Sequence, residues 1–273
     1  MKAKVSMYEK VKAYVKELLD EGQIAGFLGL RLMNGHVLPY LFTKPEELDD
    51  FSAGEVNSPG DARYPLNKMM LQMVRKDPSI KVAVLVRGCD ERNLIEMFKW
   101  NQITKANVIP VGIGCPSELA EYCECRKPWP DAMIEGEQTE AKPNKSVEAI
   151  LELGLPERLE HWKKEFRQCI KCYGCRDVCP VCFCKECTMA TDELIPSGEI
   201  PPANPMFHLL RATHMAGRCI DCGLCEEACP ARIHLRTLYK EVAEIVDNEF
   251  GYRPGYTTDR KSPLNILGEL PEG

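Results

Sequence analysis

A cysteine motif that occurs twice constrains most strongly what this chain can fold into. Both copies have the spacing C-x2-C-x2-C-x3-C-P, and they cover Cys169–Pro180 and Cys219–Pro230. The chain has 15 cysteines in 273 residues, and its first residues lead into a charged stretch without the apolar run of a secretory signal. We therefore expect a cytoplasmic protein, in which thiols stay reduced and cysteines at this density bind metal.

The repeated spacing is that of bacterial-type two-cluster ferredoxins. In that arrangement the first three cysteines bind one cubane [4Fe-4S] cluster, and the fourth binds the cluster of the other copy. The sequence therefore predicts two [4Fe-4S] clusters with crossed ligation. One is bound by Cys169, Cys172, Cys175 and Cys229, and the other by Cys219, Cys222, Cys225 and Cys179.

Structural zinc is the alternative, because zinc also accepts four thiolates from paired C-x2-C motifs. A zinc site requires neither the third closely spaced cysteine nor the proline after the fourth, and both features occur twice here. The spacing therefore favours the clusters. Because thiolates occupy every coordination position in this assignment, it predicts electron transfer, and no catalytic residue is predicted.

The N-terminal half has the pattern of an α/β domain. An amphipathic helix comes first, and Asn34-Gly35 between two apolar runs predicts a hairpin. Lys81–Arg87 and Asn107–Gly112 are apolar strands separated by a helical pattern, which indicates a parallel strand–helix–strand unit. The predicted fold class is an α/β N-terminal domain with a partly parallel sheet, plus a small α+β two-cluster ferredoxin-like domain.

The segment 126–146 is polar, contains prolines and has no periodicity, so we expect a linker there. Charged residues at helical spacing follow it and lead into the cysteines. The predicted organisation is an α/β domain at 1–125, the linker at 126–146, a connecting helix at 147–168, the ferredoxin domain at 169–240 and a C-terminal extension at 241–273.

Seven cysteines lie outside the two motifs. Cys89 and Cys115 each follow a predicted parallel strand, so both belong to the sheet edge where open α/β sheets bind ligands. A C-x2-C pair, Cys184 and Cys187, would complete a third four-sulfur set with them. The alternative is that these cysteines are ordinary buried thiols. The pattern assigns no role to Cys123, Cys125 and Cys182.

The N-terminal half resembles a known family, the β subunits of deazaflavin-coenzyme hydrogenases and dehydrogenases, which includes small formate dehydrogenase β subunits. The matching stretches lie within residues 8–116: Leu18–Gly26, Thr43–Leu48, Val82–Cys89 and Val111–Cys115. The resemblance implies a bound flavin, FAD, with a cluster beside it. It also implies that Cys89, Cys115, Cys184 and Cys187 bind a third [4Fe-4S] cluster.

These observations predict an iron–sulfur electron-transfer subunit of an anaerobic oxidoreductase complex, which relays electrons between a flavin or hydride-carrier site and a partner redox subunit. The alternative is a flavin-free link between a catalytic dehydrogenase or hydrogenase subunit and a heterodisulfide-reductase-like module. A third possible function is that of a scaffold protein, in which the clusters stabilise the fold and transfer no electrons. The expected partners are other redox subunits and a soluble hydride or electron carrier.

Two classes of partner are excluded by composition. The net charge of −6 and the lack of a lysine/arginine run argue against nucleic acid. The longest apolar runs are too short for a membrane span.

Overall fold

The computed structural model describes residues 8–54, 63–191, 196, 198–202 and 205–264. The chain divides into two compact units, an N-terminal unit, Met1–Lys142, and a C-terminal unit, Pro143–Gly273. None of the helices within the described ranges is long and apolar enough to cross a membrane. The predicted fold class is confirmed: an α/β unit with a mixed, partly parallel sheet precedes a cysteine-rich, ferredoxin-like region.

The N-terminal unit alternates helices with strands and has one 3-10 turn at Pro45–Asp50. Its elements are α1 (Glu9–Asp20), β1 (Phe27–Met33), β2 (His36–Phe42), β3 (Phe51–Ser52), α2 (Leu66–Lys76), β4 (Val82–Val86), α3 (Gly88–Lys99), β5 (Val108–Ile113), α4 (Ser117–Tyr122) and β6 (Met133–Glu135).

The sheet has the strand order β2-β1-β4-β5-β6, with β3 paired to β1. The strands β1, β4, β5 and β6 run parallel, whereas β2 and β3 are antiparallel to β1. The predicted hairpin is confirmed, because Asn34 and Gly35 have φ angles of 52° and 79° and join β1 to β2. Every residue of β4 is buried, as expected for a central strand covered on both faces.

The segment 126–146 is not only a linker. Its residues 133–135 form β6, which pairs with β5, and the Glu135 carboxylate accepts hydrogen bonds from the N–H groups of Lys10 and Val11 at 3.1 and 3.2 Å. The backbone before β6 lies very close to β5, since a Cβ on Gly112 would be 2.0 Å from the carbonyl oxygen of Ala132. This segment therefore closes the sheet and anchors the start of α1.

The C-terminal unit is helical around its cysteine loops. Its helices are α5 (Lys145–Leu151), α6 (Leu155–Phe166), α7 (Gly174–Asp177), α8 (Met206–Met215), α9 (Leu224–Glu227) and α10 (Leu235–Phe250).

Two predicted boundaries in this unit were wrong. The connecting helix expected at 147–168 is two helices, because the Gly154 N–H donates to Glu157 at 2.9 Å and begins a new helix with a proline in its first turn. The boundary expected after residue 240 falls inside α10. The extension at 241–273 is therefore helical at its start, and residues 265–273 lie outside the described part of the chain.

An aromatic core supports the cysteine loops. The Phe166 ring stacks on the His208 ring with centroids 4.5 Å apart, and Phe207 meets His208 edge-on. Burial lowers the pKa of His208 to about 4, so this ring is neutral at physiological pH. Cys169 and Cys179 belong to the same buried cluster of side chains. The cysteine loops are therefore packed directly on the core of the unit.

Candidate iron–sulfur centre

The two cysteine motifs have the same backbone conformation. The residue before the second cysteine has a positive φ in each, 52° at Lys171 and 57° at Asp221. The residue after the second cysteine does as well, 61° at Tyr173 and 75° at Gly223, and the one-turn helices α7 and α9 follow. Positive φ is uncommon outside glycine, so its recurrence at matching positions marks two copies of one tightly turned loop.

Each loop also directs a backbone N–H at its first cysteine. The Lys171 N–H donates to the Cys169 Sγ at 3.4 Å, and the Asp221 N–H makes the corresponding bond to Cys219. Hydrogen bonds of this kind to sulfur tune the reduction potential of iron–sulfur clusters. The repeated backbone thus supplies donors of the type that a cluster site uses.

The fourth cysteine of each motif lies beside the first three of the other. Cys229 is among the thiols that act electrostatically on Cys169 and on Cys175. Cys179 in turn acts on Cys219 and on Cys225. These electrostatic contacts are consistent with the two sets that the spacing predicts, and Cys179 lines one cavity with Cys219, Cys222 and Cys225. The crossed ligation stays a prediction.

Burial disfavours the charged form of these thiols. It raises the pKa of Cys175 to about 11 and that of Cys219 to about 12, and it raises the pKa of Cys225 well above the usual value for a thiol. Iron bonded to sulfur replaces the proton and favours the thiolate.

The second set lines a cavity. Cys179, Cys219, Cys222 and Cys225 line a small cavity of about 20 Å³, with Val181, Met215 and Ile220 as apolar neighbours. Within the described residues, no three histidine, cysteine, aspartate or glutamate side chains converge as they would around one metal ion. A cubane differs because its four thiolates bind four separate iron atoms. The donor set and the N–H donors fit a [4Fe-4S] cluster.

A buried arginine that the spacing did not reveal lies next to both sets. Arg211 on α8 is 2% exposed, and its Nη2 donates to the carbonyl oxygen of Cys175 at 3.3 Å while Nη1 contacts the Cys182 Sγ at 3.5 Å. Burial opposes its charge, but the facing thiols, Cys179 foremost, raise the pKa of Arg211 overall. In the sequence, only the apolar residues around Arg211 in α8 indicate that this arginine is buried.

We expect Arg211→Met to lower the reduction potentials of both clusters, because a nearby positive charge stabilises the reduced form. The expected shift is about 60 mV, a tenfold change in a one-electron equilibrium. Redox titration monitored by electron paramagnetic resonance (EPR) measures it. Arg211→Lys should leave both reduction potentials close to those of the unchanged protein, because lysine keeps the positive charge. Arg253→Met, which removes a half-buried arginine paired with Glu244 and Asp247 of α10, is the matched control, and an equal shift there would contradict the prediction.

The remaining predicted ligands lie in both units. Cys89 is in the first turn of α3 and Cys115 directly follows β5, so both lie at the carboxyl edge of β4 and β5, as the strand pattern indicates. Cys184 and Cys187 line a second cavity in the C-terminal unit, together with Cys182, His214 and Arg218. The predicted third set takes two cysteines from each unit, and it stays a prediction.

Comparison with known proteins supports the cluster chemistry. The model of the 4Fe-4S binding domain matches residues 212–233. The F420-dependent formate dehydrogenase subunit beta of Methanocaldococcus jannaschii is 36% identical over 153 residues, which is 55% of this chain and 40% of the relative. The F420-dependent formate dehydrogenase 1 subunit beta of Methanococcus maripaludis is 38% identical over 158 residues, 57% of this chain and 40% of the relative.

A more distant relative is the sulfhydrogenase 2 subunit beta of Pyrococcus furiosus, 29% identical over 35% of this chain and 36% of the relative. The resemblance predicted from the sequence is confirmed, since the homologues at 36–38% identity are formate dehydrogenase β subunits. The chain spans about 40% of the length of those relatives. With the 15 cysteines, these findings support [4Fe-4S] clusters and an iron–sulfur electron-transfer subunit of an oxidoreductase.

Proposed function

We propose that this chain relays electrons within an oxidoreductase complex through two [4Fe-4S] clusters with crossed ligation. The observation that carries the proposal is the cavity that Cys179, from the first motif, lines together with Cys219, Cys222 and Cys225 of the second. When bound, such clusters accept and donate single electrons. The chain's own residues hold the iron through thiolates, donate N–H groups to sulfur and place the charge of Arg211 beside both sets.

The electron donor and acceptor are inferred from the relatives. Two of them carry names of F420-dependent formate dehydrogenase β subunits. We therefore propose that electrons pass between a hydride-carrier site, with or without a flavin, and the metal centre of a partner redox subunit. Cofactors supply the redox chemistry in such complexes, and the protein positions them.

One observation favours the flavin-free alternative, a link between a catalytic dehydrogenase or hydrogenase subunit and a heterodisulfide-reductase-like module. The glycines after β4 and at the end of β5 face the chain's own backbone: a Cβ on Gly88 would lie 2.2 Å from the oxygen of Lys127, and one on Gly114 would lie 2.3 Å from that of Glu137. These glycines permit a close approach of segment 127–137 and do not form a phosphate cradle for FAD. In this alternative, the electron path would run through the clusters alone.

A spectroscopic titration of the anaerobically purified chain tests the proposal. We expect reversible reduction, with EPR signals from two [4Fe-4S] clusters and no resolved flavin bands after the clusters are bleached. Flavin bands that persist after bleaching would restore the flavin-dependent version. Clusters that cannot be reduced reversibly would contradict electron transfer and favour a structural role. Co-purification from the native host identifies the partner subunits.

A further inference from the structure

The two cysteine loops, the first at Cys169–Cys179 and the second at Cys219–Cys229, differ in their exposure to solvent. Each has an isoleucine after its first cysteine, but Ile170 is 50% exposed and Ile220 only 3%. Of the eight ligands predicted for the two clusters, all within the described residues, Cys172 is the only exposed one. The loops share one backbone conformation, so the difference comes from what packs against them.

Helix α10 covers part of the second loop. Its first turn contains Arg236, which is buried and donates from Nε to the Asp221 carboxylate at 2.6 Å. The backbone N–H of the same arginine donates to the Glu226 carboxylate at 3.1 Å. The acidic groups of the second loop are thus paired within the unit. The first loop has basic residues at the matching positions, Lys171 and Arg176.

The charge around the first loop is also opposite in sign to that around the second. Residues 163–177 contain five lysines and arginines against two acidic residues, whereas residues 213–227 contain one arginine against three acidic residues. Lys164 and Arg167, at the end of α6, are exposed, and the Cys169 N–H donates to the Phe166 oxygen at 3.1 Å, so the helix end turns directly into the loop. Because the chain has a net charge of −6, this basic surface is local.

We propose that a redox protein with an acidic face docks on the surface around Ile170 and Cys172, and that electrons pass between the two proteins through the cluster of the first loop. An apolar centre with charged residues around it is the usual composition of a protein interface, and electron-transfer encounters bury little area. The basic surface selects an acidic partner. One electron leaves the reduced cluster and enters the partner's oxidised centre, and no atoms are exchanged. The inference rests on the proposed function, because a cluster must be present there.

Stopped-flow kinetics test this surface in the full chain, loaded with clusters and reduced by dithionite. The probes are two one-electron acceptors, an acidic blue-copper protein and basic cytochrome c. The net charge of the chain alone predicts that reduction of the acidic acceptor becomes faster as salt screens repulsion, whereas we expect it to become slower. Lys164→Glu with Arg167→Glu should lower its rate constant about tenfold at low ionic strength. Lys76→Glu with Lys105→Glu, two exposed lysines of the N-terminal unit, is the matched control and should leave the rate constant nearly unchanged.

Cytochrome c should show the opposite change, with faster reduction by the Lys164/Arg167 variant than by the unchanged chain. Equal losses in the two double variants, or a rate with the acidic acceptor that rises with salt, would overturn the inference and leave the proposed function intact. Dimerisation of the unchanged chain that the Lys164/Arg167 variant abolishes would assign the surface to a second copy and overturn it as well. The EPR signals of both clusters are the folding control, and clusters that dithionite cannot reduce would refute the proposed function together with this inference.

Discussion

Replacing Cys179 by alanine is expected to remove the cluster of the other motif and to spare the cluster of its own. The reason is position: the Cys179 thiol lies with Cys219 and Cys225, whereas Cys229 takes the fourth place beside Cys169 and Cys175. Iron analysis should show a loss of about four iron atoms per chain. EPR spectra after reduction should lose one of two signals.

Two companion variants identify the signal that is lost. Cys219→Ala should remove the same signal as Cys179→Ala, and Cys169→Ala should remove the other. Cys182→Ala is a suitable control, because this cysteine is three residues away from Cys179 and belongs to neither set. If Cys179→Ala removes the signal that Cys169→Ala removes, each motif binds its own cluster and crossed ligation is wrong.

Gly112→Ala is expected to lower the free energy of unfolding of the N-terminal unit by about 3 kcal/mol, the upper end for overpacking of a rigid site. The added Cβ would lie 2.0 Å from the Ala132 oxygen, and this oxygen belongs to backbone that leads into β6. The segment can relieve the clash only by separating from β5. Urea denaturation followed by tryptophan fluorescence measures the loss.

Gly22→Ala is the matched control for that substitution. The change is again glycine to alanine, but a Cβ on Gly22 would meet nothing within 4 Å. Its φ of 66° is a strained backbone conformation for alanine. The expected cost is about 1 kcal/mol, from the backbone alone. Equal losses in the two variants would show that the contact with Ala132 contributes nothing to stability.

Local signals account for what the sequence predicts correctly. The hairpin follows from Asn34-Gly35, and the pairing of β4 with β5 follows from two apolar runs around one helical pattern. The matching backbone of the two cysteine loops follows from the spacing within each motif. In each case the residues that determine the structure are close together in the sequence.

The features that the sequence did not predict depend on distant contacts. The three residues of β6 are too few for periodicity, and they form a strand because β5 offers a free edge and glycines that admit a close backbone. Arg211 lies about thirty residues after the first motif, and only the packing of α8 brings it to Cys175.

The crossed grouping of the cysteines also has a consequence for the polymer chain itself. A cluster that joins Cys179 to Cys219 acts as a cross-link around a loop of roughly 40 residues, and closing such a loop lowers the entropy of the unfolded chain by about 4 kcal/mol at room temperature. The second proposed cluster would join Cys175 to Cys229 around a loop that largely overlaps the first, so it would add much less. We expect the unit to tolerate oxidative loss of either cluster and to unfold when both are gone.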